Sequence, residues 1–324
     1  MNEQGTEKMK TVALGRTGIQ VPVLAMGAAS LGSIYHPVSQ QQANDTVTTA
    51  LEHGVNYFDV APYYGLTKAE TALGGALKGV PRASYTLATK VGRYGDSQWD
   101  FSREATLRSI DESLARLGTD YIDVIQCHDI EYGDLHQLVE EALPMLRELQ
   151  QSGLVRHVGI TGYDLALLEK LAVEQKVDTV MAYCTWTLQD RRLGDVARRL
   201  NQAGIGVLNA SPLSMGLLTR GGAPTWHPAH EDVQNACRAV SALCDREGVN
   251  ISQVALQFAL TTAAEQGIAT TVIGTASKEN MLDNIHWCEQ PLDAALLQKI
   301  DELIAPVLNI GWDVLPGNGG KAQK

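Results

Sequence analysis

The segment Val55–Gly65, which reads VNYFDVAPYYG, decides the fold prediction. It opens with β-branched and aromatic residues, reaches an acid at Asp59, and then turns at Pro62 and Gly65. This order predicts a short buried strand whose C-terminal end carries a carboxylate, followed by a loop that carries Tyr64. Taken alone, the segment fits equally well an Asp that caps the next helix and a Tyr that packs in a loop.

Strand-like and helix-like segments alternate along the rest of the chain. The predicted strands begin near Val23, Val55, Tyr85, Ile122, His157, Asp178, Gly206 and Thr270. Such alternation predicts a parallel sheet, and eight units predict closure into a (β/α)8 barrel, the TIM barrel. A doubly wound open sheet is the alternative. It is disfavoured because Gly27 to Gly32, after the first strand, lack the G-x-G-x-x-G spacing of a dinucleotide fingerprint.

The chain is predicted to form a single domain over residues 11–316. A short β-hairpin around Gly15-Arg16-Thr17-Gly18 precedes the barrel. Residues 1–10 are predicted to be a disordered N-terminal tail, and residues 317–324 a flexible C-terminal tail.

Helical periodicity appears between the predicted strands. Pro144 falls inside one such pattern and should kink that helix or begin a new one. The clearest predicted helices are Ser102–Leu117, Asp190–Gln202, Glu231–Glu247 and Ser252–Ala264.

The composition is that of a soluble globular protein, with 44% hydrophobic and 19% charged residues. The formal net charge of −11 argues against nucleic-acid partners and against an anionic membrane surface. The five cysteines are widely spaced without a C-x-x-C pair, which fits free thiols in a reducing compartment. No apolar run approaches the roughly 20 residues of a membrane span, and no signal peptide is recognisable. We therefore expect a cytoplasmic protein.

Reactive side chains stand at the C-terminal ends of three consecutive predicted strands. Asp59 ends the second strand, Lys90 the third and His128 the fourth, and Tyr64 lies just beyond Asp59. In a barrel these ends meet at one opening. A buried Lys90 needs a counter-ion such as Asp59, and its charge beside Tyr64 would lower the pKa of the phenol. The set suits proton transfer to or from an alcohol or carbonyl oxygen that His128 orients or protonates.

The sequence offers neither a nucleophile–base pair nor a metal-ligand cluster. His227 and His230 resemble a ligand pair, but Pro228 between them breaks the helix that this spacing would need. No metal is therefore expected.

The strand-end residues resemble a known family. In order and strand position, Asp59, Tyr64, Lys90 and His128 match the catalytic tetrad of the aldo-keto reductases, and the resemblance covers nearly the whole chain. It implies an extended nicotinamide cofactor and Tyr64 as general acid and base, tuned by the other members. It also implies a set of cofactor-binding residues, namely Gly27, Thr161, Tyr183, Ser211, Leu213, Gly216, Leu217, Gly274, Thr275, Ser277, Asn280 and Asn284.

Two departures from the family pattern concern this cofactor. The family often has an aromatic residue before its Ser-Pro-Leu loop to stack on the nicotinamide, and here that residue is Ala210. Tyr183 or Trp186 is expected to substitute. The Arg that commonly binds the 2′-phosphate of NADP corresponds to Asn280, and losing that bidentate partner favours NAD. Lys278 nearby leaves NADP as a less favoured cofactor.

Within the family, several longer strings resemble the branch that holds the L-galactose and L-fucose dehydrogenases. They are CHDIEYG at 127–133, GITG at 159–162, ASPLSMGLLT at 210–219 and WHPA at 226–229. The resemblance implies NAD-dependent oxidation of the anomeric C1 hydroxyl of an L-galactose or L-fucose type aldose to the aldonolactone, with D-arabinose also accepted. The expected contacts of this sugar are Tyr63, Asp129, Trp186 and Trp226.

Two other functions fit the same tetrad. One is the reverse direction, an NADPH-dependent reductase of aldehydes or of pyridoxal, which the relative affinities for NAD and NADP would separate. The other is a non-catalytic subunit that senses the cofactor, although no interaction segment is appended. We expect a small sugar as the only partner, without nucleic acid or membrane, and a monomer or weak homo-oligomer.

Overall fold

The computed structural model of the protein describes residues 9–312. Of the two predicted tails, residues 317–324 and most of residues 1–10 therefore lie outside the described range. Lys10 is described, and its carbonyl oxygen accepts a hydrogen bond from the Val23 amide at 3.0 Å. None of the helices in the described range is long and apolar enough to cross a membrane.

The described strands follow the predicted order closely. Their bounds are β1 Thr11–Ala13, β2 Gln20–Pro22, β3 Leu24–Gly27, β4 Tyr57–Asp59, β5 Thr86–Val91, β6 Arg93–Gly95, β7 Gln98–Trp99, β8 Ile122–Cys127, β9 Val155–Gly162, β10 Thr179–Tyr183, β11 Gly206–Ala210 and β12 Ile268–Gly274.

The α-helices lie mainly between the barrel strands. Their bounds are α1 Gln40–Glu52, α2 Lys68–Ala76, α3 Arg103–Leu117, α4 Leu135–Gln137, α5 Leu143–Ser152, α6 Leu165–Glu174, α7 Leu193–Gln202, α8 Glu231–Arg246, α9 Ile251–Ala263, α10 Lys278–Cys288 and α11 Ala294–Ile304. Short 3-10 turns occupy Ala29–Gly32, Arg82–Ser84, Ile130–Tyr132, Ser214–Gly216, Ala264–Gln266 and Ala305–Val307.

Eight parallel strands close into a barrel in the order β10, β11, β12, β3, β4, β5, β8 and β9. The predicted (β/α)8 barrel is thereby confirmed, and the doubly wound open sheet is wrong. The hairpin of β1 and β2 is also present, with Val12 paired to Val21. The hairpin of β6 and β7 and the helix α11 were not predicted.

The helix signals in the sequence act as expected at most positions. The Ser102 hydroxyl caps α3 by accepting from the Ala105 amide at 3.2 Å, and Gly118 ends that helix in the left-handed region at φ 65°. Pro144 lies in the first turn of α5, directly after a π-helical turn at Leu138–Ala142. The helix predicted from Asp190 begins only at Leu193, because the Asp190 carboxylate binds the side chain and amide of Arg192 instead.

The N-terminal hairpin closes one end of the barrel. Leu14 and Val21 of the hairpin pack into the barrel interior with Tyr57, Met181 and Leu208. Gly15 has φ 53°, and a Cβ there would lie 2.3 Å from the Gly206 nitrogen, so only glycine fits this approach to the start of β11. The opposite end of the barrel, where the C-terminal ends of the strands lie, opens into a cleft.

Candidate active site

An ion pair joins the ends of two neighbouring barrel strands. Lys90 Nζ on β5 lies 2.5 Å from Asp59 Oδ1 on β4 and donates to the Val60 carbonyl oxygen at 2.9 Å. Gln126 Nε2 donates to the other Asp59 oxygen at 3.0 Å. Burial lowers the pKa of Lys90, but the charges of Asp59 and Tyr64 outweigh it and leave the pKa raised. The lysine therefore stays protonated although its side chain is only 2% exposed.

Tyr64 lies directly beside this lysine. Lys90 Nζ is 4.7 Å from the centroid of the Tyr64 ring, and the His128 ring stands edge-on at 5.4 Å. Burial raises the pKa of Tyr64 to about 12, while Lys90 acts in the opposite direction. The expected effect of Lys90 is thus present, but desolvation outweighs it, and the expectation of a net lowered phenol pKa is wrong.

His128 follows β8 and completes the cluster. Its backbone amide donates to the Val91 carbonyl oxygen at 2.9 Å, which fixes the end of β8 beside β5. Burial lowers the pKa of His128 well below its ordinary value, and the charges of Lys90 and Arg93 add to this effect. The imidazole is therefore neutral near pH 7 and can donate one N–H to an oxygen in the cleft.

A cleft of about 1420 Å³ opens at the C-terminal ends of the strands, with the tetrad among its lining. Most of the predicted cofactor and substrate residues also line it. The predicted residues on its wall are Gly27, Asp59, Tyr63, Tyr64, Lys90, His128, Asp129, Thr161, Tyr183, Ser211, Leu213, Gly216, Trp226, Gly274, Thr275, Ser277 and Asn280.

Three predicted site residues are not on the cleft wall: Trp186, Leu217 and Asn284. Trp186 is 5% exposed and stacks on Phe258 of α9 at a centroid distance of 5.8 Å, in the layer of helices around the barrel. It neither reaches a sugar in the cleft nor replaces the aromatic ring that Ala210 lacks, so both expectations for Trp186 are wrong. Of the two aromatic candidates, only Tyr183 lines the cleft. Leu217 and Asn284 are buried behind the wall.

Several residues that sequence reasoning missed also line the cleft. Arg93 is a charged residue among them, and its guanidinium pairs with the Asp129 carboxylate. The sequence signal was the string Lys90-Val91-Gly92-Arg93, which places a second cation just after a strand that already ends in one. The other missed residues include Ile34, Tyr35, Tyr132, Met181, Ile310 and Trp312.

The far end of the cleft suits a dinucleotide phosphate. There Ser277 caps α10 by accepting from the Asn280 amide at 3.1 Å, and the helix start offers N–H groups and the positive end of its dipole. Gly274 has no Cβ to narrow the cleft, and a Cβ on Gly27 would lie 3.3 Å from the Val272 side chain. The residues present therefore fit the extended nicotinamide dinucleotide that the family resemblance implies.

These groups at the strand ends of a closed barrel define an oxidoreductase class, and comparison with known proteins identifies it. The model of the aldo/keto reductase family matches residues 23–305. The chain belongs to the aldo/keto reductase family.

Individual relatives and a solved structure agree with this assignment. The chain is 40% identical to the L-galactose dehydrogenase of Arabidopsis thaliana over 314 residues, which cover 94% of this chain and 97% of that protein. It is 31% identical to the D-arabinose 1-dehydrogenase of Saccharomyces cerevisiae, over 82% of this chain and 83% of the relative. An aldo-keto reductase from Bacillus halodurans in its holo form superposes with a TM-score of 0.74 at 28% identity, covering 91% of this chain and 96% of that one.

Proposed function

We propose that this oxidoreductase oxidises the anomeric C1 hydroxyl of a neutral aldose of the L-galactose type to the aldonolactone, with NAD as the oxidant. The observation that carries the proposal is the buried cluster of Tyr64, Lys90, Asp59 and His128 on the wall of the cleft. The names of two relatives, L-galactose dehydrogenase and D-arabinose 1-dehydrogenase, support the choice of substrate. Both sugars share the configuration of C2 to C4, so a pocket that reads the ring hydroxyls would accept both.

The chain supplies the proton chemistry of this oxidation. The Tyr64 phenolate takes the proton of the C1 hydroxyl as the C1–H bond breaks and the carbonyl of the lactone forms. Lys90 stabilises the phenolate and the negative charge that develops on the substrate oxygen, and the neutral His128 donates a hydrogen bond to the same oxygen. When bound, the nicotinamide supplies the hydride acceptor.

The charges around the tetrad favour an uncharged substrate. Lys90 is neutralised by Asp59, and Arg93 is neutralised by Asp129, so neither cation near the tetrad is free to bind a carboxylate or a phosphate. Burying a charged group without a partner costs much free energy. A neutral polyol therefore suits this end of the cleft better than a sugar acid or a phosphorylated aldehyde.

NAD is the proposed cofactor because Asn280, at the start of α10, is exposed and carries no charge. A side-chain amide cannot form the paired, charge-assisted hydrogen bonds that an arginine gives to a 2′-phosphate. The N–H groups at the start of α10 would serve the phosphates that NAD and NADP share.

The direct test is a panel of sugars with each cofactor. L-Galactose, L-fucose and D-arabinose are incubated with NAD or NADP, and the formation of the reduced cofactor is followed by its absorbance. We expect reduction of NAD with all three sugars and a weaker response with NADP. Failure to oxidise any of them would remove this substrate class, and efficient reduction of aldehydes by NADPH would instead support the reductase.

A further inference from the structure

Arg93 and Asp129 form an ion pair on the wall of the cleft. Arg93 Nη1 contacts Asp129 Oδ2, and the two side chains are only 14% and 7% exposed. Arg93 lies three residues after Lys90, and Asp129 comes directly after His128. The pair therefore extends the tetrad along the same wall by one donor group and one acceptor group.

Both partners are held in place by their surroundings. The guanidinium carbon of Arg93 lies 3.7 Å from the centroid of the Tyr63 ring, and the Tyr63 hydroxyl donates to Asp96 Oδ1 at 2.8 Å. Asp129 has a left-handed backbone with φ 49°, and its amide donates to Thr161 Oγ1 at 3.0 Å. A non-glycine residue in this conformation is uncommon, and such strain persists where the surrounding structure fixes it, often at ligand sites.

The wall also carries polar atoms whose partners the described residues do not supply. Arg93 Nε and His128 Nδ1 are buried and have no hydrogen-bond partner within residues 9–312. A buried polar atom without a partner costs free energy, so this part of the wall is incompletely satisfied by the protein itself. The guanidinium of Arg93 and the fixed carboxylate of Asp129, which both line the cleft, offer donor and acceptor groups that match a ligand rich in hydroxyl groups.

We propose that the Arg93–Asp129 pair is a hydroxyl clamp that positions the sugar over Tyr64. The Asp129 carboxylate accepts a hydrogen bond from one ring hydroxyl, and the Arg93 guanidinium donates one to the neighbouring hydroxyl. A vicinal diol presents this donor and acceptor at a fixed spacing. Asp129 directly follows His128, which in the proposed function donates to the C1 oxygen. The diol that the pair binds is therefore that of C2 and C3. This inference rests on the proposed oxidation of an aldose.

The test compares L-galactose with 2-deoxy-L-galactose in the wild type and in Asp129→Asn. In the wild type the loss of the C2 hydroxyl should lower kcat/KM by at least about 100-fold, because the polar groups that read it are left unpaired. In Asp129→Asn the parent sugar should lose at least about tenfold in kcat/KM, mainly through a raised KM. In this variant, kcat/KM for L-galactose and for 2-deoxy-L-galactose should differ by less than about tenfold.

L-Fucose serves as the matched control, since it lacks only the C6 hydroxyl. The ratio of kcat/KM for L-galactose to that for L-fucose should stay within about threefold of the wild-type ratio in Asp129→Asn. A general loosening of the cleft would change the discrimination against the 2-deoxy sugar and the discrimination against L-fucose together. Loss of a clamp on C2 and C3 changes only the discrimination against the 2-deoxy sugar. Equal discrimination against the 2-deoxy sugar in wild type and folded variant would overturn the clamp.

A second variant separates loss of the clamp from loss of the fold. Asp129→Asn leaves Arg93 buried without its counter-ion, which can destabilise the fold. The double variant Arg93→Gln with Asp129→Asn removes both charges. It should bind NAD with the Kd of the wild type and still fail to discriminate against the 2-deoxy sugar. If the wild type itself oxidises no aldose, the proposed function fails and the clamp falls with it. If it oxidises aldoses and both variants keep the discrimination, only the clamp fails.

Discussion

Lys90 Nζ lies 2.5 Å from Asp59 Oδ1, and these two side chains end adjacent strands of the barrel with 2% and 5% exposure. Because the contact is buried, each charge depends on the other for its stability. The pair also sets the charge beside the Tyr64 ring, which lies 4.7 Å from the ammonium.

Asp59→Asn should destabilise the protein by about 3–5 kcal/mol, because it leaves Lys90 buried without a counter-ion. The free energy of unfolding can be measured by urea titration. The control is Asp59→Asn combined with Lys90→Met, which should recover part of the lost stability without recovering turnover. Equal stability of wild type and Asp59→Asn would contradict a buried, mutually dependent pair.

Tyr64→Phe should lower kcat by about 100- to 10,000-fold, since it removes the proposed proton acceptor while keeping the ring. The Kd for NAD, measured by quenching of protein fluorescence, should be unchanged. Tyr121→Phe is a matched control, because Tyr121 directly precedes β8 at the opposite end of the barrel and its ring stacks with Arg82. Comparable losses in both variants would mean that the effect of Tyr64→Phe is not chemical.

The rate of sugar oxidation should rise with pH. Burial raises the pKa of Tyr64 to about 12, so the phenolate that we propose as the proton acceptor is a minor species near pH 7, and its population rises about tenfold per pH unit. The positive charge of a bound oxidised nicotinamide would act in the same direction as Lys90, so the profile of kcat/KM should level off below about pH 12. Steady-state rates between about pH 6 and pH 10 test this, and a flat or falling profile would exclude Tyr64 as the base. In Lys90→Met, the pH profile of the residual activity should shift to higher pH.

Glu131→Gln should lose less stability than the wild type as the pH rises from 4.5 to about 8. Burial and then the charge of Asp129 raise the pKa of Glu131 to about 8, above its ordinary value of 4.5. Between these values the folded protein binds more protons than the unfolded chain, so the free energy of unfolding falls as pH rises, by on the order of a few kcal/mol. The Tyr163 amide donates to Glu131 Oε1 at 2.7 Å, and the side-chain oxygen of the introduced glutamine can still accept this hydrogen bond.

The measurement for this prediction is the Tm at about pH 5 and about pH 9, on either side of the raised pKa. The wild type should lose more Tm between the two than Glu131→Gln does. Glu140→Gln, at an exposed position, should behave as the wild type. If Glu131→Gln and the wild type show the same dependence on pH, Glu131 is already ionised in the folded protein at the lower pH.

Asn280→Arg should raise the affinity for NADP by at least about tenfold while changing the affinity for NAD little. The reason is that an arginine can form paired, charge-assisted hydrogen bonds with a 2′-phosphate, each stronger than a neutral one. The Kd values can be measured by calorimetry, with Asn280→Gln as the uncharged control. An unchanged Kd for NADP would show that the 2′-position of the cofactor lies elsewhere.

Much of the fold could be predicted from the sequence because its signals are local. The segment Val55–Gly65 changes from apolar residues to turn residues within one strand and one loop, and β4 appears there at Tyr57–Asp59. Similar boundaries place the other barrel strands within two residues of their predicted starts. For example, β9 was predicted to start at His157 and starts at Val155, and β12 was predicted to start at Thr270 and starts at Ile268. Closure of the sheet into a barrel follows from the eight strand–helix units in the chain.

The site could be predicted only where topology alone brings residues together. Asp59, Lys90 and His128 meet because they end neighbouring parallel strands, whatever the side-chain packing. Trp186 was misplaced because a position after a strand does not say whether a ring turns into the cleft or against Phe258. Arg93 was missed because its partner, Asp129, is 36 residues away in the chain.

The sequence by itself determined the barrel, its hairpin and the set of reactive groups at the strand ends, because periodicity, turn residues and strand order are properties of the chain. The tertiary structure decided which of these groups pair, which aromatic ring faces the cleft, and that burial raises the pKa of Tyr64 to about 12 despite Lys90 beside it. Desolvation and ion pairing depend on every atom that excludes water from a group, and those atoms come from distant parts of the chain.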